Sequence, residues 1–178
     1  MIKRLFFYTV FASMFSFGVN AHNHTQTVSV EMKHVETGAS LGQVSISSGD
    51  FEGLVFTPNL DGLTPGLHGF HIHQNPSCEA SMEGEKKVAA GAAGSHLDTD
   101  DVEEHGAPWS VDGHSGDLPA LFVASSGSAV HPLYAPLLTM ADVLNHSIMI
   151  HAGGDNYSDK PEANGGGGSR FACGVISK

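Results

Sequence analysis

Residues 66–73 have the sequence GLHGFHIH and contain the clearest strand pattern in the chain. Successive side chains of a β-strand point to opposite faces, so Phe70 and Ile72 share one face while His71 and His73 share the other. The pattern predicts a strand with an apolar face toward a core and two imidazoles on its opposite face. His68 falls on the apolar side, and we interpret it as a structural residue that holds loop backbone by hydrogen bonds.

Seven other short segments carry the same alternation or a short apolar run. They are residues 28–32, 44–46, 54–56, 120–124, 129–135, 147–151 and 171–176. Turn-forming residues such as Ser48-Gly49-Asp50 separate them, and helix is limited to a brief turn predicted at 137–144. About eight short strands with turns between them predict an all-β fold, either an antiparallel β-sandwich or a flattened barrel.

Two connections, residues 75–118 and residues 152–170, are too long for hairpin turns. Long irregular loops in a compact domain usually carry function, so we expect the functional site in these segments. The glycine run at 165–168 lacks the Lys-Ser/Thr ending of a phosphate-binding loop, and we interpret it as a flexible bend.

The composition limits the classes of function. The chain has 178 residues, with 8 lysines and arginines against 19 aspartates and glutamates, for a formal net charge of −11 with neutral histidines. This charge opposes nucleic-acid binding or anionic-membrane binding as the main function. The length and the 40% hydrophobic content fit one globular domain with a sizeable core.

The N-terminus has the pattern of a secretory signal peptide. Lys3 and Arg4 precede an apolar run at residues 5–18, which is too short for a membrane span of about 20 residues. We expect cleavage after Ala21, which removes two positive charges and leaves a single exported domain, residues 22–178, without a membrane anchor. This mature chain has 157 residues and a formal charge of −13.

Cys78 and Cys173 are the only cysteines of the chain. In an exported protein an even number of cysteines favours a disulfide over reactive thiols, with two buried free thiols as the alternative. A bond between the two would close a loop of nearly 100 residues, worth roughly 4 to 5 kcal/mol of stability in the chain-entropy model.

The chain has 12 histidines, an unusual number for its length. Two imidazoles on one strand face, those of His71 and His73, form half a metal site. Further candidate ligands lie in the first long loop and at the end of the penultimate strand: His96, His105, His114, Asp117 and His151. Three or four neutral imidazoles suit copper, zinc, nickel or iron, and three imidazoles with one carboxylate form a normal tetrahedral zinc set. The alternative is a polar loop with exposed histidines.

Several ordered motifs resemble those of a known family. Residues 66–73 (GLHGFHIH), 113–119 (GHSGDLP) and 167–176 (GGSRFACGVI) resemble the copper,zinc superoxide dismutases. Residues 75–78 (NPSC) and 151–159 (HAGGDNYSD) resemble the exported bacterial branch of that family. The resemblance implies a Greek-key β-sandwich, dismutation of superoxide to dioxygen and hydrogen peroxide, one copper and one zinc ion per chain, and a periplasmic location.

The resemblance also implies roles for individual residues. The implied copper ligands are His71, His73, His96 and His151. The implied zinc ligands are His96, His105, His114 and Asp117, so that His96 is shared and also carries a proton during turnover. Asp155 is implied to link His71 with His105. Arg170 is implied to attract and bind superoxide, and Cys78 with Cys173 to form a disulfide within the chain.

The negative net charge would repel superoxide unless positive residues focus the field near copper, and such steering is a known property of this family. The second long loop has three acidic residues against Lys160 alone, which departs from the lysine-assisted loop of the eukaryotic branch. We predict that Lys86 and Lys87, in the first loop, attract superoxide instead. The alternative is that both are solvated surface charges.

Cleavage after Ala21 would create the terminus His22-Asn23-His24. The free amine, two backbone amide nitrogens and the imidazole of the third residue are four in-plane nitrogen donors for Cu(II) or Ni(II). We therefore predict a second copper site at His22, Asn23 and His24, with a frayed polar terminus as the alternative.

Trp109 is the only tryptophan and follows Pro108 in the first loop, where it is hard to bury. Exposed aromatic residues often anchor interfaces, and dimeric members of the exported bacterial branch look similar here. We predict a homodimer with Trp109 at its interface, against packing within the loop as the alternative.

Two other functions compete with dismutation. An exported copper and zinc buffer on the same fold would be marked by the loss of a copper ligand or of Arg170, and neither is missing. A hydrolytic zinc enzyme needs an open zinc position with a base beside it. The implied zinc ligands leave no such position, because they already number four.

Overall fold

The structure is a computed structural model that describes residues 26–178. The predicted signal peptide, residues 1–21, and the predicted copper site at His22, Asn23 and His24 lie outside the described residues. Within residues 26–178, no helix is both long and apolar enough to cross a membrane.

Residues 26–178 form eleven β-strands, one short α-helix and two 3₁₀ turns. The strands are β1 (Thr27–His34), β2 (Ser40–Ser47), β3 (Leu54–Leu60), β4 (Gly66–His68), β5 (Phe70–His73), β6 (Ser81–Glu83), β7 (Lys86–Val88), β8 (Leu121–Val123), β9 (Leu133–Ala135), β10 (Ser147–His151) and β11 (Arg170–Val175). The helix is α1 (Met140–Val143), and the 3₁₀ turns are Gly91–Ala93 and Asn164–Gly166.

The strands pair antiparallel and form one large curled sheet. Its order is β5-β10-β11-β1-β2-β3-β9, while β4 pairs with β8 and β6 with β7. Strands far apart in the chain are neighbours, as in Greek-key connections, because β11 lies between β10 and β1. The prediction of an all-β antiparallel fold is confirmed.

The alternation of apolar and polar residues builds the core. Along β1, Val28, Val30 and Met32 are buried while Ser29 and Glu31 between them are exposed. The inward residues of β1, β2 and β3 pack with those of β5 and β10 in a single hydrophobic cluster. Burial of these side chains supplies the main driving force for the fold.

The segment 66–73 was predicted as one strand and is two, because the chain changes partners at Gly69. The Gly69 N–H donates to the carbonyl of Gly153 over 2.8 Å, and its own carbonyl accepts from the N–H of His151 over 2.8 Å. A Cβ at Gly69 would lie 3.0 Å from the His71 ring. Gly69 therefore lets β4 pair with β8 and β5 with β10.

The hairpin of β6 and β7 lies in the first long loop and was not predicted. Most of its residues are exposed, so it has no buried face and hence no apolar periodicity for the sequence to display. The brief helical turn predicted at 137–144 is present as α1, where the Asp142 carboxylate accepts from the Thr139 N–H over 2.8 Å and from its hydroxyl over 2.7 Å.

Strands β5 and β10 are buried on both faces. One face joins the core through Phe70, Ile72, Ile148 and Ile150. The other face carries His71, His73, Met149 and His151, all of which are also buried. The two long loops form much of this cover, because the residues that hydrogen-bond to these histidines come from them. The buried histidines therefore lie between a rigid sheet and two loops.

A disulfide joins Cys78 in the first loop to Cys173 in β11. Ala90, Ala93 and Met149 pack with Cys173 in a small second cluster. The predicted disulfide is confirmed, and the alternative of two free thiols is wrong. Because the bridged cysteines are 95 residues apart, the bond contributes roughly 4 to 5 kcal/mol in the chain-entropy model.

Candidate metal centre

Two neighbouring strands place three of the predicted ligands. His71 and His73 alternate along β5, opposite Met149 and Ser147 of β10 in the strand register, and His151 ends β10. A register shift between Ile150 and His151 displaces His151 from the regular ladder. The Nε2 atoms of His73 and His151 lie 3.4 Å apart.

The first long loop adds His96 to these three histidines. His96 forms an isolated antiparallel bridge with His73, and its ring stacks on that of His71 with centroids 3.9 Å apart. One ligand atom from each of the four lies within 4.8 Å of the others, and all four residues are buried. We call His71, His73, His96 and His151 the four-histidine group.

A second group forms around the buried carboxylate of Asp117. Its Oδ1 atom lies 2.9 Å from His96 Nδ1 and 3.0 Å from His105 Nδ1. Its Oδ2 atom lies 3.5 Å from His114 Nδ1, and the His114 side chain is 13% exposed. We call His96, His105, His114 and Asp117 the Asp117 group. His96 belongs to both groups, with Nδ1 toward Asp117 and hence Nε2 toward the four-histidine group.

Asp155, in the second long loop, contacts one histidine of each group on the ring edge that points away from the other ligands. Its Oδ2 lies 2.8 Å from His71 Nε2 and its Oδ1 lies 2.7 Å from His105 Nε2. A carboxylate only accepts hydrogen bonds, so both Nε2 atoms carry hydrogen, and in the neutral form of each ring the Nδ1 atom keeps its lone pair. Asp155 thus orients one histidine of each group.

Backbone carbonyls orient two other histidines in the same way. The Gly94 carbonyl lies 2.9 Å from His73 Nδ1, and the Gly168 carbonyl lies 3.2 Å from His151 Nδ1. Because carbonyls only accept, the Nδ1 atoms donate and the Nε2 atoms point their lone pairs into the four-histidine group.

The ring nitrogens that point into the two groups indicate whether metal ions fit there. The buried Nδ1 atom of His71 has no hydrogen-bond partner among the described residues. The buried Nδ1 atoms of His105 and His114 face the Asp117 carboxylate but make no well-aligned hydrogen bond to it. A buried polar atom left unpaired costs about 1–3 kcal/mol. Ligand atoms of His71, His96, His105 and Asp117 also lie within 4.8 Å of one another. Buried ligand atoms gathered this closely, some of them without another partner, fit bound cations.

Burial keeps the four-histidine group neutral. It lowers the pKa of His73 to about 2, of His151 to about 3 and of His96 to about 4. Burial also lowers the pKa of His71, although the Asp155 carboxylate opposes this. Neutral imidazoles bind a metal without first losing a proton.

In the Asp117 group, nearby carboxylates raise the pKa of His105 instead of lowering it. Burial alone would lower the pKa of His105, but the nearby carboxylates of Asp117 and Asp155 raise it to about 9. Burial alone would raise the pKa of the two carboxyls, but hydrogen bonds from the histidines hold both pKa values well below the usual range. Two ionised carboxylates therefore favour a cation beside His105.

Arg170 lies at the opening of the four-histidine group. Its guanidinium donates to the carbonyl of Ala90, and to that of Gly94 over 2.5 Å. Arg170, His73, His96 and His151 line a common cavity of about 610 Å³. Lys86 and Lys87, predicted to attract an anion, line the same cavity.

Two further residues were singled out in the sequence: His68 is structural, and Trp109 is exposed. His68 is buried, with Nδ1 2.7 Å from the His151 carbonyl and Nε2 2.7 Å from the Thr64 carbonyl. It holds backbone as interpreted from the sequence. Trp109 is 64% exposed, and its ring centroid lies 5.7 Å from that of Tyr157.

Two residues of the site escaped the sequence analysis. Tyr157 donates its backbone N–H to Asp155 Oδ1 over 2.8 Å, and its hydroxyl accepts from the Ala120 N–H over 3.0 Å. Gly94 offers one carbonyl to both His73 and Arg170. The only available signal was proximity in sequence, since Tyr157 is two residues from Asp155 and Gly94 two from His96.

Comparison with known proteins agrees with this geometry. A family model described as copper/zinc superoxide dismutase (SODC) matches residues 40–176. A superoxide dismutase (Cu-Zn) from Photobacterium leiognathi is 50% identical over 168 residues, covering 94% of this chain and 96% of the relative.

Solved structures show the same similarity. The Cu/Zn superoxide dismutase from Brucella abortus aligns with a TM-score of 0.81 at 46% identity, over 85% of this chain and 100% of that chain. The solution structure of the monomeric copper, zinc superoxide dismutase from Salmonella enterica aligns with a TM-score of 0.75 at 46% identity, with the same coverage of both chains. The family match spans most of the described residues and the Photobacterium relative nearly the whole chain, so this chain belongs to the copper/zinc superoxide dismutase family.

Proposed function

We propose that this chain dismutates superoxide, converting two superoxide anions and two protons into dioxygen and hydrogen peroxide. Such a site must attract an anion, exchange single electrons and deliver protons. One observation carries the proposal: the buried four-histidine group faces a cavity lined by Arg170 and shares His96 with the Asp117 group.

The ligands proposed for the two metals follow the two groups. Copper, one ion per chain, is held by His71, His73, His96 and His151. Zinc, one ion per chain, is held by His96, His105, His114 and Asp117. When bound, copper supplies the one-electron chemistry. Zinc cannot supply it, because zinc has no redox chemistry in proteins. The inward lone pairs and the unpartnered Nδ1 atom of His71 support this assignment.

His96 is the residue placed to move a proton. Its Nδ1 is held at 2.9 Å from Asp117 Oδ1, so its Nε2 is the atom that faces the four-histidine group and its cavity. Reduction of superoxide to peroxide needs two protons. His96 Nε2 delivers one of them and is reprotonated between turnovers, while solvent in the cavity delivers the other.

Arg170 binds the anion. Its guanidinium stays charged at any working pH and has five N–H donors. The carbonyls of Ala90 and Gly94 take two of these donors and so hold the side chain at the cavity wall. The remaining donors hydrogen-bond superoxide beside the four-histidine group.

The cavity distinguishes this function from its competitors. A copper and zinc buffer has no need of a cationic cavity at its copper ligands, whereas Arg170, Lys86 and Lys87 line this one. A hydrolytic zinc enzyme needs an open zinc position. His105 and Asp117 are fully buried instead, and they are held by neighbouring side chains.

The proposal extends to location and assembly. The bacterial relatives and the disulfide support export, and we assign the mature chain to the periplasm, beginning at His22. The exposed Trp109 supports a homodimer with this residue at the interface.

Superoxide consumption by the purified mature protein tests the reaction. We expect cyanide-sensitive activity that scales with copper content, at one copper and one zinc per chain. Full loading of both metals without activity would contradict the proposal and favour the buffer. A His73→Ala variant should lose copper and activity while keeping zinc, because His73 belongs only to the four-histidine group.

Replacing Asp155 by Asn tests its role in orienting ligands. One amide cannot accept from both His71 Nε2 and His105 Nε2, so we expect the affinity for each metal to fall by about 10- to 100-fold. Competition with a chelator measures this fall. Asp112→Asn, an exposed change of the same kind in the first loop, should have no effect. Equal affinities in the two variants would refute the role.

The double variant Lys86→Ser/Lys87→Ser tests the attraction of superoxide. We expect a lower kcat/KM at low ionic strength and a flatter salt dependence, because salt at 0.1 M screens interactions between exposed charges more than about 10 Å apart. Lys160→Ser/Lys178→Ser is the matched control, since neither lysine lines the cavity. The idea fails if both double variants behave alike.

Mass spectrometry of the protein recovered from separated periplasmic and cytoplasmic fractions tests location and assembly together. The denatured mass should correspond to residues 22–178 with a disulfide, and the native mass to two such chains. Trp109→Ser should shift the native mass to one chain. A dimer that survives this change would place the interface elsewhere, and an uncleaved chain would contradict export.

A further inference from the structure

The two metal-ligand groups open toward different surfaces. The four-histidine group opens to the cavity lined by Arg170. A second pocket, of about 260 Å³, reaches the Asp117 group through His114 and Asp117, and no residue lines both openings. We call this second opening the His114 pocket.

The two openings differ in charge. Three cationic side chains (Lys86, Lys87, Arg170) and two acidic ones (Glu36, Glu83) line the cavity of the four-histidine group. Three carboxylates (Asp100, Asp117, Asp142) line the His114 pocket, with no lysine or arginine among its described lining residues. The first opening therefore favours anions and the second favours cations.

The Asp117 group is closed on its other sides. Neither His105, His114 nor Asp117 lines the cavity of the four-histidine group. His105 is covered by the second loop, where a Cβ on Gly165 would lie 2.0 Å from Asp155 Oδ1 and 2.8 Å from His105 Nε2. Toward the four-histidine group, the His96 ring stacks on His71.

His114 is the exception in this closed group. Its side chain is 13% exposed, against 3% for His96 and none for His105 or Asp117. Its Nδ1 faces the Asp117 carboxylate but makes no well-aligned hydrogen bond to it. His114 is thus the ligand that contacts both the pocket and the interior of the group.

The walls of the His114 pocket suit a hydrated divalent cation. Besides the aspartates, Thr99 and Ser115 line it, and their hydroxyl oxygens lie 3.0 Å apart. Asp98 accepts the N–H groups of Val102 and Glu103 over 3.1 and 3.0 Å, which shapes the turn that carries Asp100. Carboxylate oxygens are among the ligands that zinc accepts in proteins.

We propose that zinc enters and leaves the Asp117 group through the His114 pocket, with Asp100 attracting the ion and His114 receiving it. This inference rests on the proposed zinc ligands. Zinc exchange is then independent of the superoxide cavity. Superoxide enters from one surface of the protein, and zinc enters from another.

Zinc exchange kinetics of the full mature protein test the route. Zinc uptake is measured by mixing the metal-free, disulfide-bonded protein with zinc ions, and release by transfer of zinc to a chromogenic chelator. We expect Asp100→Asn to slow uptake by at least about threefold at low ionic strength, with the difference lost at high salt. Asp101→Asn, the same change one residue away and outside the pocket, should behave as the unmodified protein.

A second variant narrows the opening instead of changing its charge. Val111 is 76% exposed on the pocket wall, and Val111→Trp should slow uptake and release by the same factor with unchanged affinity, because a barrier acts equally in both directions. Val130→Trp, at a residue 53% exposed and outside the pocket, is the control.

The outcomes separate this inference from the proposed function. Failure to bind one zinc per chain would refute the ligand set and the route with it. Normal zinc binding with unchanged rates in both Asp100→Asn and Val111→Trp would overturn the route alone. Faster zinc uptake after Lys87→Glu would show that zinc uses the superoxide cavity, and would overturn it as well.

Discussion

The Asp155 carboxylate accepts a hydrogen bond from one histidine of each metal-ligand group, and the rest of the centre depends on that contact. It sets the tautomers of His71 and His105, so that both Nδ1 atoms face inward. It also ties the second loop to the sheet, because Asp155 lies in that loop and His71 in β5. Tyr157 supports it by donating its N–H to the same carboxylate and bonding to the chain just before β8.

The first loop is held by a different constraint. The disulfide from Cys78 to Cys173 fixes the loop to β11, beside the turn that carries Ala90 and Gly94. The carbonyls of that turn bind Arg170, and Gly94 binds His73 as well. A covalent bond that needs an oxidising compartment therefore supports the position of the residue proposed to bind superoxide.

Charge is distributed unevenly around the site. The chain carries a net charge of −11, yet three cationic side chains line the cavity of the four-histidine group. Carboxylates line the pocket at the opposite group. The two groups share His96 but face opposite local fields, which suits the proposed approach of an anionic substrate and a cationic metal from separate directions.

Much of this arrangement was predictable, because it depends on patterns local in the chain. The period-2 alternation predicted the strands of the main sheet, and it placed His71 and His73 on the face opposite to Phe70 and Ile72. The alternation of apolar and polar residues predicts less well where a strand has no buried face. It missed the exposed β6–β7 hairpin, and it joined β4 to β5 because the change of partner at Gly69 depends on hydrogen bonds to residues more than 80 positions away.

By itself, the sequence determined the all-β class, the candidate ligands, the first long loop that contains most of them and, through its motifs, the family. Only the tertiary structure decided which ring nitrogen of each histidine faces inward, which carbonyls hold Arg170, and that the two ligand groups open to separate surfaces. The physical reason is that a strand pattern is set by neighbours along the chain. Ring orientation, burial and local field are set instead by atoms that only folding brings together, such as Asp155 against His71 and Gly94 against Arg170.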